Sequence, residues 1–165
     1  MAAVLLAAAL PACQEGAEEQ GLPIIDLARQ RPSLILFGAD PGDRVSAVAA
    51  GDVNGDGLQD IIVGAFNADG PEGSRPDCGE VYVIFGPSDR GQTIDLAEGQ
   101  HDITVFGADS GDSLGFAVAA GDVNGDGIDD ILTAALIGDG PGEERPEAGE
   151  AYVIFGSPAL EPTVD

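Results

Sequence analysis

The sequence predicts an all-β fold of two four-stranded sheets packed side by side, and three observations predict it. First, the chain repeats itself: residues 47–86 and 117–156 share 26 identities over 40 aligned positions at an offset of 70. Second, apolar runs of four to six residues, rich in Val and Ile, are bounded by Gly, Pro, Asp and Asn, which is strand punctuation. Third, 25 glycines and 11 prolines in 165 residues demand many tight turns and disfavour long helices.

The amino-terminal residues Met1 to Ala12 form an apolar stretch shorter than the ~20 residues a membrane-spanning helix needs, which resembles an export signal. Leu10-Pro11-Ala12-Cys13 resembles the bacterial lipoprotein cleavage box, so residues 1–13 are read as an export signal with Cys13 as the candidate lipid-anchor site; plain secretion is the alternative. Residues 14–21, QEGAEEQG, lack aromatic and β-branched residues and read as an acidic linker. The first unit spans 22–91, the second 92–160, and 161–165 form a tail.

Within the first unit the expected strands are Leu34–Phe37, Ser46–Ala50, Asp60–Ala65 and Glu80–Phe85. In the second they are Ile103–Phe106, Phe116–Ala120, Asp130–Ala135 and Glu150–Phe155. Val81-Tyr82-Val83-Ile84-Phe85 is apolar at successive positions, so both faces of that strand need cover. A lone sheet cannot supply it, whereas radial stacking buries each sheet against its neighbours.

Charge narrows the function. Thirty acidic residues against six basic ones, all arginine, give a net charge of −24 without a basic cluster, which disfavours nucleic acid as a partner. The lack of lysine removes Walker-type phosphate loops and Schiff-base chemistry. His101, the one histidine, and Cys78, whose counterpart is Ala148, head no nucleophilic constellation, so no catalytic residue is assigned. Arg75 and Arg145, on long matching connections, are expected to pair locally with neighbouring acids.

The segments Asp52-Val53-Asn54-Gly55-Asp56-Gly57-Leu58-Gln59-Asp60 and Asp122-Val123-Asn124-Gly125-Asp126-Gly127-Ile128-Asp129-Asp130 share the pattern D-x-N-x-D-G-x-x-D. Oxygens at the first, third and fifth positions of a tight turn converge, and the following glycine permits the backbone reversal. The expected ligands of a hard cation are the side chains of Asp52, Asn54, Asp56 and Asp60 with the Leu58 carbonyl. Asp122, Asn124, Asp126 and Asp130 with the Ile128 carbonyl repeat the set. Three gathered carboxylates repel one another without a cation, and Ca²⁺ suits a flexible all-oxygen shell. Val63 and Thr133 stand where a helix-loop-helix calcium site places its bidentate acid, and the residues leaving each loop read as strand.

With Phe37-Gly38-Ala39, Val63-Gly64-Ala65 and the Gly79 to Gly86 strand, these loops resemble the FG-GAP repeat of the integrin α-chain β-propeller over about Leu22 to Pro158. Phe66 stands where that family often has proline, and Ala134-Ala135-Leu136 replaces its Gly-Ala-Pro. The resemblance implies two blades of a partial propeller, about one structural Ca²⁺ per repeat, and an extracellular or cell-surface interaction or adhesion scaffold for a protein or matrix ligand. Two blades do not close a ring, which takes about four or more, so further blades or self-association are expected. Two alternatives stay open: a non-catalytic accessory segment of a larger secreted hydrolase, and a dockerin-like docking module with helices after each loop.

Overall fold

The computed structural model describes residues 26–30, 32–86 and 93–165. The expected export signal, Cys13 and the acidic linker lie outside them. The chain divides into two compact units, Met1–Arg31 and Pro32–Asp165. In the first, the described residues form a turn in which the Arg29 and Gln30 amides donate to the Asp26 carbonyl.

The second unit is all-β, with strands β1 (Ile35–Phe37), β2 (Val45–Gly51), β3 (Asp60–Ala65), β4 (Glu80–Ile84), β5 (Thr93–Asp95), β6 (Ile103–Phe106), β7 (Leu114–Gly121), β8 (Asp130–Ala135), β9 (Glu150–Ile154) and β10 (Thr163–Val164). Eight of these cover the expected strands to within two residues at either end. The very short β5 and β10 carry too little apolar periodicity to be read from sequence.

One expectation is corrected by the pairing. The four strands of each repeat do not close a sheet among themselves. The first blade is β2-β3-β4 extended by β6, which opens the second repeat, with β10 parallel to β6 at the outer edge. The second blade is β7-β8-β9, and β1 pairs instead with β5 in a parallel ribbon. The cause lies in β4, every residue of which is buried. Val81 and Val83 need an apolar neighbour on their outer side, and Ile103 and Val105 of β6 supply it within one cluster. The Phe85 amide donating to the Asp102 carboxylate at 2.8 Å and the Asp102 amide donating to the Val83 carbonyl at 2.8 Å seat the incoming strand.

That cluster is the joint between the blades. Ile62, Val81 and Val83 on one face of the first blade meet Leu114, Ile131 and Ala135 of the second, with Val118, Ala120, Tyr152 and Ile154 packed around them. Backbones approach closely here: a Cβ on Gly64 would lie 2.0 Å from the Gly115 carbonyl oxygen. Gly115, at φ +80°, is one of two extra residues in the β7 bulge, with Phe116. Phe66 packs edge-to-face on Phe116 with ring centroids 5.7 Å apart. A second cluster on the opposite face of the first blade, including Val63, Tyr82 and Ile84, is covered by Ile94 and Leu96 with Leu34 and Leu36. The buried Cys78 thiol sits in packed surroundings, and burial pushes its pKa up.

Candidate metal centre

Both aspartate loops join the first two strands of a blade, β2 to β3 and β7 to β8, and they fold alike. In the first, one Asp52 oxygen accepts from the amides of Gly55 at 2.8 Å and Asp56 at 3.1 Å, and the other accepts from Gly57 at 2.9 Å. The Asn54 Oδ1 accepts from the Asp56 amide at 2.9 Å while its Nδ2 donates to the Asp56 carboxylate at 3.1 Å. Asp56 in turn accepts from the Leu58 amide at 2.8 Å. Asp122, Asn124, Asp126 and Ile128 reproduce each of these bonds at 2.6–3.2 Å. Gly57 and Gly127 sit at φ +86° and +90°, a region that any other residue enters only with strain. The amides converging on Asp122, that of Gly127 above all, hold its carboxyl below the usual carboxylate range.

Asp60 and Asp130 behave differently. Both are fully buried. Asp60 accepts from the Val53 amide at 2.9 Å and the Gly86 amide at 3.0 Å, clamping the loop's start to the end of β4. Asp130 does the same for Val123 and Gly156 at 2.9 Å each. Burial pushes the Asp60 carboxyl up, the two amides pull against it, and the charges of Asp56 and Asp52 push it further up.

The structure therefore brings Asp52, Asn54 and Asp56 together in one turn and gives Asp60 a second task, that of anchor. Leu58 and Ile128 close the turn through their amides. The donor chemistry, all oxygen and mostly anionic, fits a hard divalent cation. Among the described residues no three Asp, Glu, His or Cys side chains already form a metal cage. The anchoring carboxylate keeps lone pairs beyond the two its amides use, since an ionised carboxylate offers about four acceptor sites.

The two loops also touch. The Asp52 amide donates to the Asp129 carboxylate at 3.0 Å, and the Asp129 amide donates to the Asp52 carbonyl at 2.9 Å. Position eight, Gln59 in one loop and Asp129 in the other, thus has a use in the second loop that the ligand pattern does not register.

A second acidic constellation went unassigned in the sequence. Asp40, Asp43, Asp69, Glu72 and Glu80 line a cavity of about 300 Å³ together with Tyr82. The Tyr82 hydroxyl donates to Glu80, and the pair recurs as Tyr152 and Glu150. Burial, with the Tyr82 hydrogen bond opposing it, leaves the Glu80 carboxyl above its ordinary value; burial and the hydrogen bond to Glu80 together push the Tyr82 phenol up. Recurrence of Asp40, Asp43, Asp69 and Glu80 at offsets of 69 and 70 was the available signal; Glu72 falls on Gly142 and does not recur.

Arg75 corrects another expectation. It does not pair locally: its guanidinium donates to the carbonyls of Gly107 at 2.6 Å and Ala108 at 3.2 Å, pairs with Asp165, and lies 6.0 Å from the centre of the Phe106 ring. It staples the first repeat to the Phe-Gly-Ala segment of the second.

Comparison with known proteins settles the family. The FG-GAP repeat model matches residues 45–84 and 114–154, the two stretches that form β2 to β4 and β7 to β9. The chain carries two FG-GAP repeats. It is 37% identical over 119 residues to integrin alpha-PS2 of Drosophila melanogaster, covering 68% of this chain and 8% of that protein. It is 35% identical over 127 residues to phosphatidylinositol-glycan-specific phospholipase D of Rattus norvegicus, covering 76% of this chain and 14% of the relative. The human enzyme of that name is 32% identical over 142 residues, covering 85% and 16%. The chain thus spans between 8% and 16% of the length of these relatives. The FG-GAP repeat is a non-catalytic type of module. Among the described residues no helix is long and apolar enough to cross a membrane.

Proposed function

We propose that this chain is a calcium-braced, non-catalytic interaction module that works outside the cell, anchored there through Cys13. The observation that carries the reading is the duplication: two loops of one ligand pattern adopt one hydrogen-bonded geometry at equivalent ends of two blades. Asp52, Asn54 and Asp56, with the Leu58 carbonyl and the remaining acceptor capacity of Asp60, would hold the first ion; Asp122, Asn124, Asp126, Ile128 and Asp130 would hold the second. A bound ion supplies positive charge where the Asp52, Asp56 and Asp60 carboxylates now repel one another. The amides already bound to these side chains preorganise the turn. What the residues gain is a stiff joint between the first two strands of each blade, and hence fixed positions for the long connections 67–79 and 137–149, the surface offered to a protein or matrix ligand.

Strands rather than helices leave both loops, which counts against the docking module. The accessory-segment reading keeps a specific support: several relatives are named as phospholipases. A continuous reading frame encoding a catalytic domain beside these repeats would favour it. The test of the calcium reading is thermal unfolding with and without Ca²⁺. The ion raises Tm in the wild type, less so in Asp56→Ala or Asp126→Ala, and not at all in the double variant. A wild-type Tm indifferent to Ca²⁺ overturns the reading.

A further inference from the structure

The second aspartate loop reaches into the first through a residue that neither ligand set uses. Asp129 lies between Ile128 and Asp130, whose carbonyl and carboxylate belong to the second set. Its side chain serves the first loop instead: the carboxylate accepts from the Asp52 amide at 3.0 Å, and the Asp129 amide donates to the Asp52 carbonyl at 2.9 Å. Asp52, the first expected ligand of the first loop, is thus held on both sides of its Cα by one residue of the other blade.

The surroundings are cut to this contact. A Cβ on Gly51 would lie 2.4 Å from the Ala120 Cβ and 3.0 Å from an Asp129 carboxylate oxygen, so glycine leaves the room the carboxylate needs. At Gly121, its counterpart, a Cβ would meet nothing within 4 Å among the described residues. Ile128 adds a second contact: a Cβ on Gly55, between the ligands Asn54 and Asp56, would lie 3.0 Å from its Cδ1. At both contacts the touching residues are expected ligands or their immediate chain neighbours.

We propose, on the calcium reading above, that Asp129 is a positioning residue of the first cation site and couples the two sites, so that an ion in either loop raises the affinity of the other. An ion in the first loop fixes Asp52. Two hydrogen bonds pass that order to Asp129, and with it to Ile128 and Asp130 on either side. The second ion then meets a loop whose ordering cost is partly met, and linkage makes the effect reciprocal. Repulsion between the ions works against this, but it is the weaker effect. Each set carries three carboxylates, Asp52, Asp56 and Asp60 or Asp122, Asp126 and Asp130, so a loop holding one divalent ion still has net negative charge. Salt at about 0.15 M screens exposed charges beyond about 8 Å, whereas direct hydrogen bonds are unaffected by it.

Titration of the whole chain with Ca²⁺ tests this, followed by NMR at the Gly57 and Gly127 amides, which donate to Asp52 and Asp122 and so read each loop separately. Asp56→Ala, which disables the first loop, lowers the affinity read at Gly127 about fivefold, and Asp126→Ala lowers that read at Gly57 by the same factor. Asp129→Ala weakens binding at Gly57, in the other blade, and abolishes the effect of Asp56→Ala on Gly127. Asp129→Asn, which keeps an oxygen for the Asp52 amide, restores most of both. Should Asp129→Ala fail to fold by circular dichroism, the two single-loop variants decide the coupling and Asp129→Asn is compared with Asp129→Ser. Two loops that fill in the wild type with affinities indifferent to, or raised by, disabling the other overturn the coupling and leave the calcium reading standing. An affinity at Gly57 unmoved by Asp129→Ala overturns the role given to Asp129. If neither amide responds to Ca²⁺, the calcium reading itself falls and the coupling with it.

Discussion

The two repeats share their aspartate loops nearly residue for residue, yet the same residue types live in different surroundings. Val53 is fully buried and Val123 is 55% exposed. The difference is not local. The Val53 carbonyl accepts from the Ser157 amide at 3.0 Å, and Gly55 lies against the side chain of Ile128, because the second blade covers the first loop and no described residue does this for the second. Burial in this molecule is a property of having a following neighbour, as expected where stability is a sum of units and interfaces.

The comparison breaks most sharply at the anchors. Asp60→Ala leaves the buried Val53 amide and the half-buried Gly86 amide without an acceptor, which should cost about 3 kcal/mol in urea unfolding. Asp130→Ala should cost less, because Val123 at that loop's start reaches water. Equal losses would mean that the neighbour contributes nothing to the first loop.

Side-chain truncation sharpens the same contrast at smaller scale. Val53→Ala removes two buried methyl groups and should cost about 2 kcal/mol. Val123→Ala should stay within about 0.5 kcal/mol of wild type. An effect smaller than that of Val53→Ala is expected at Glu80, buried in the first repeat's acidic cavity. Its raised pKa favours the protonated form in the folded state, so stability from this group is full below its unfolded pKa of about 4.3 and is lost as pH rises through the higher folded value. Glu80→Gln should therefore raise stability at neutral pH by about 1 kcal/mol and have little effect near pH 3, as read from chemical unfolding at several pH values.

Much of this was legible in the sequence because the repeat is. Internal identity located eight strands, and the loops announced their turn through Asn-Gly and Asp-Gly pairs between oxygen donors. What escaped depends on partners distant in the chain. That β6 completes the first blade follows from the buried outer side of β4, not from anything within Ile103–Phe106. Arg75 finds its acceptors 32 and 33 residues away, and Asp165 90 residues away. Asp60 fits a ligand pattern by spacing, but only the fold shows its carboxylate holding two amides that secure the loop. The Glu80 and Tyr82 pair was in plain view as a repeated Glu-x-Tyr, hidden because alternate residues of a buried strand look like core.

Calorimetric titration of the intact chain with Ca²⁺ tests the central claim most directly. Two sites should appear in the wild type, with Kd on the order of 10⁻⁴ to 10⁻³ M as for extracellular modules, one in Asp56→Ala or in Asp126→Ala, and none when both are changed. A wild-type protein that takes up no Ca²⁺, or a doubly changed one that takes up as much, would contradict it.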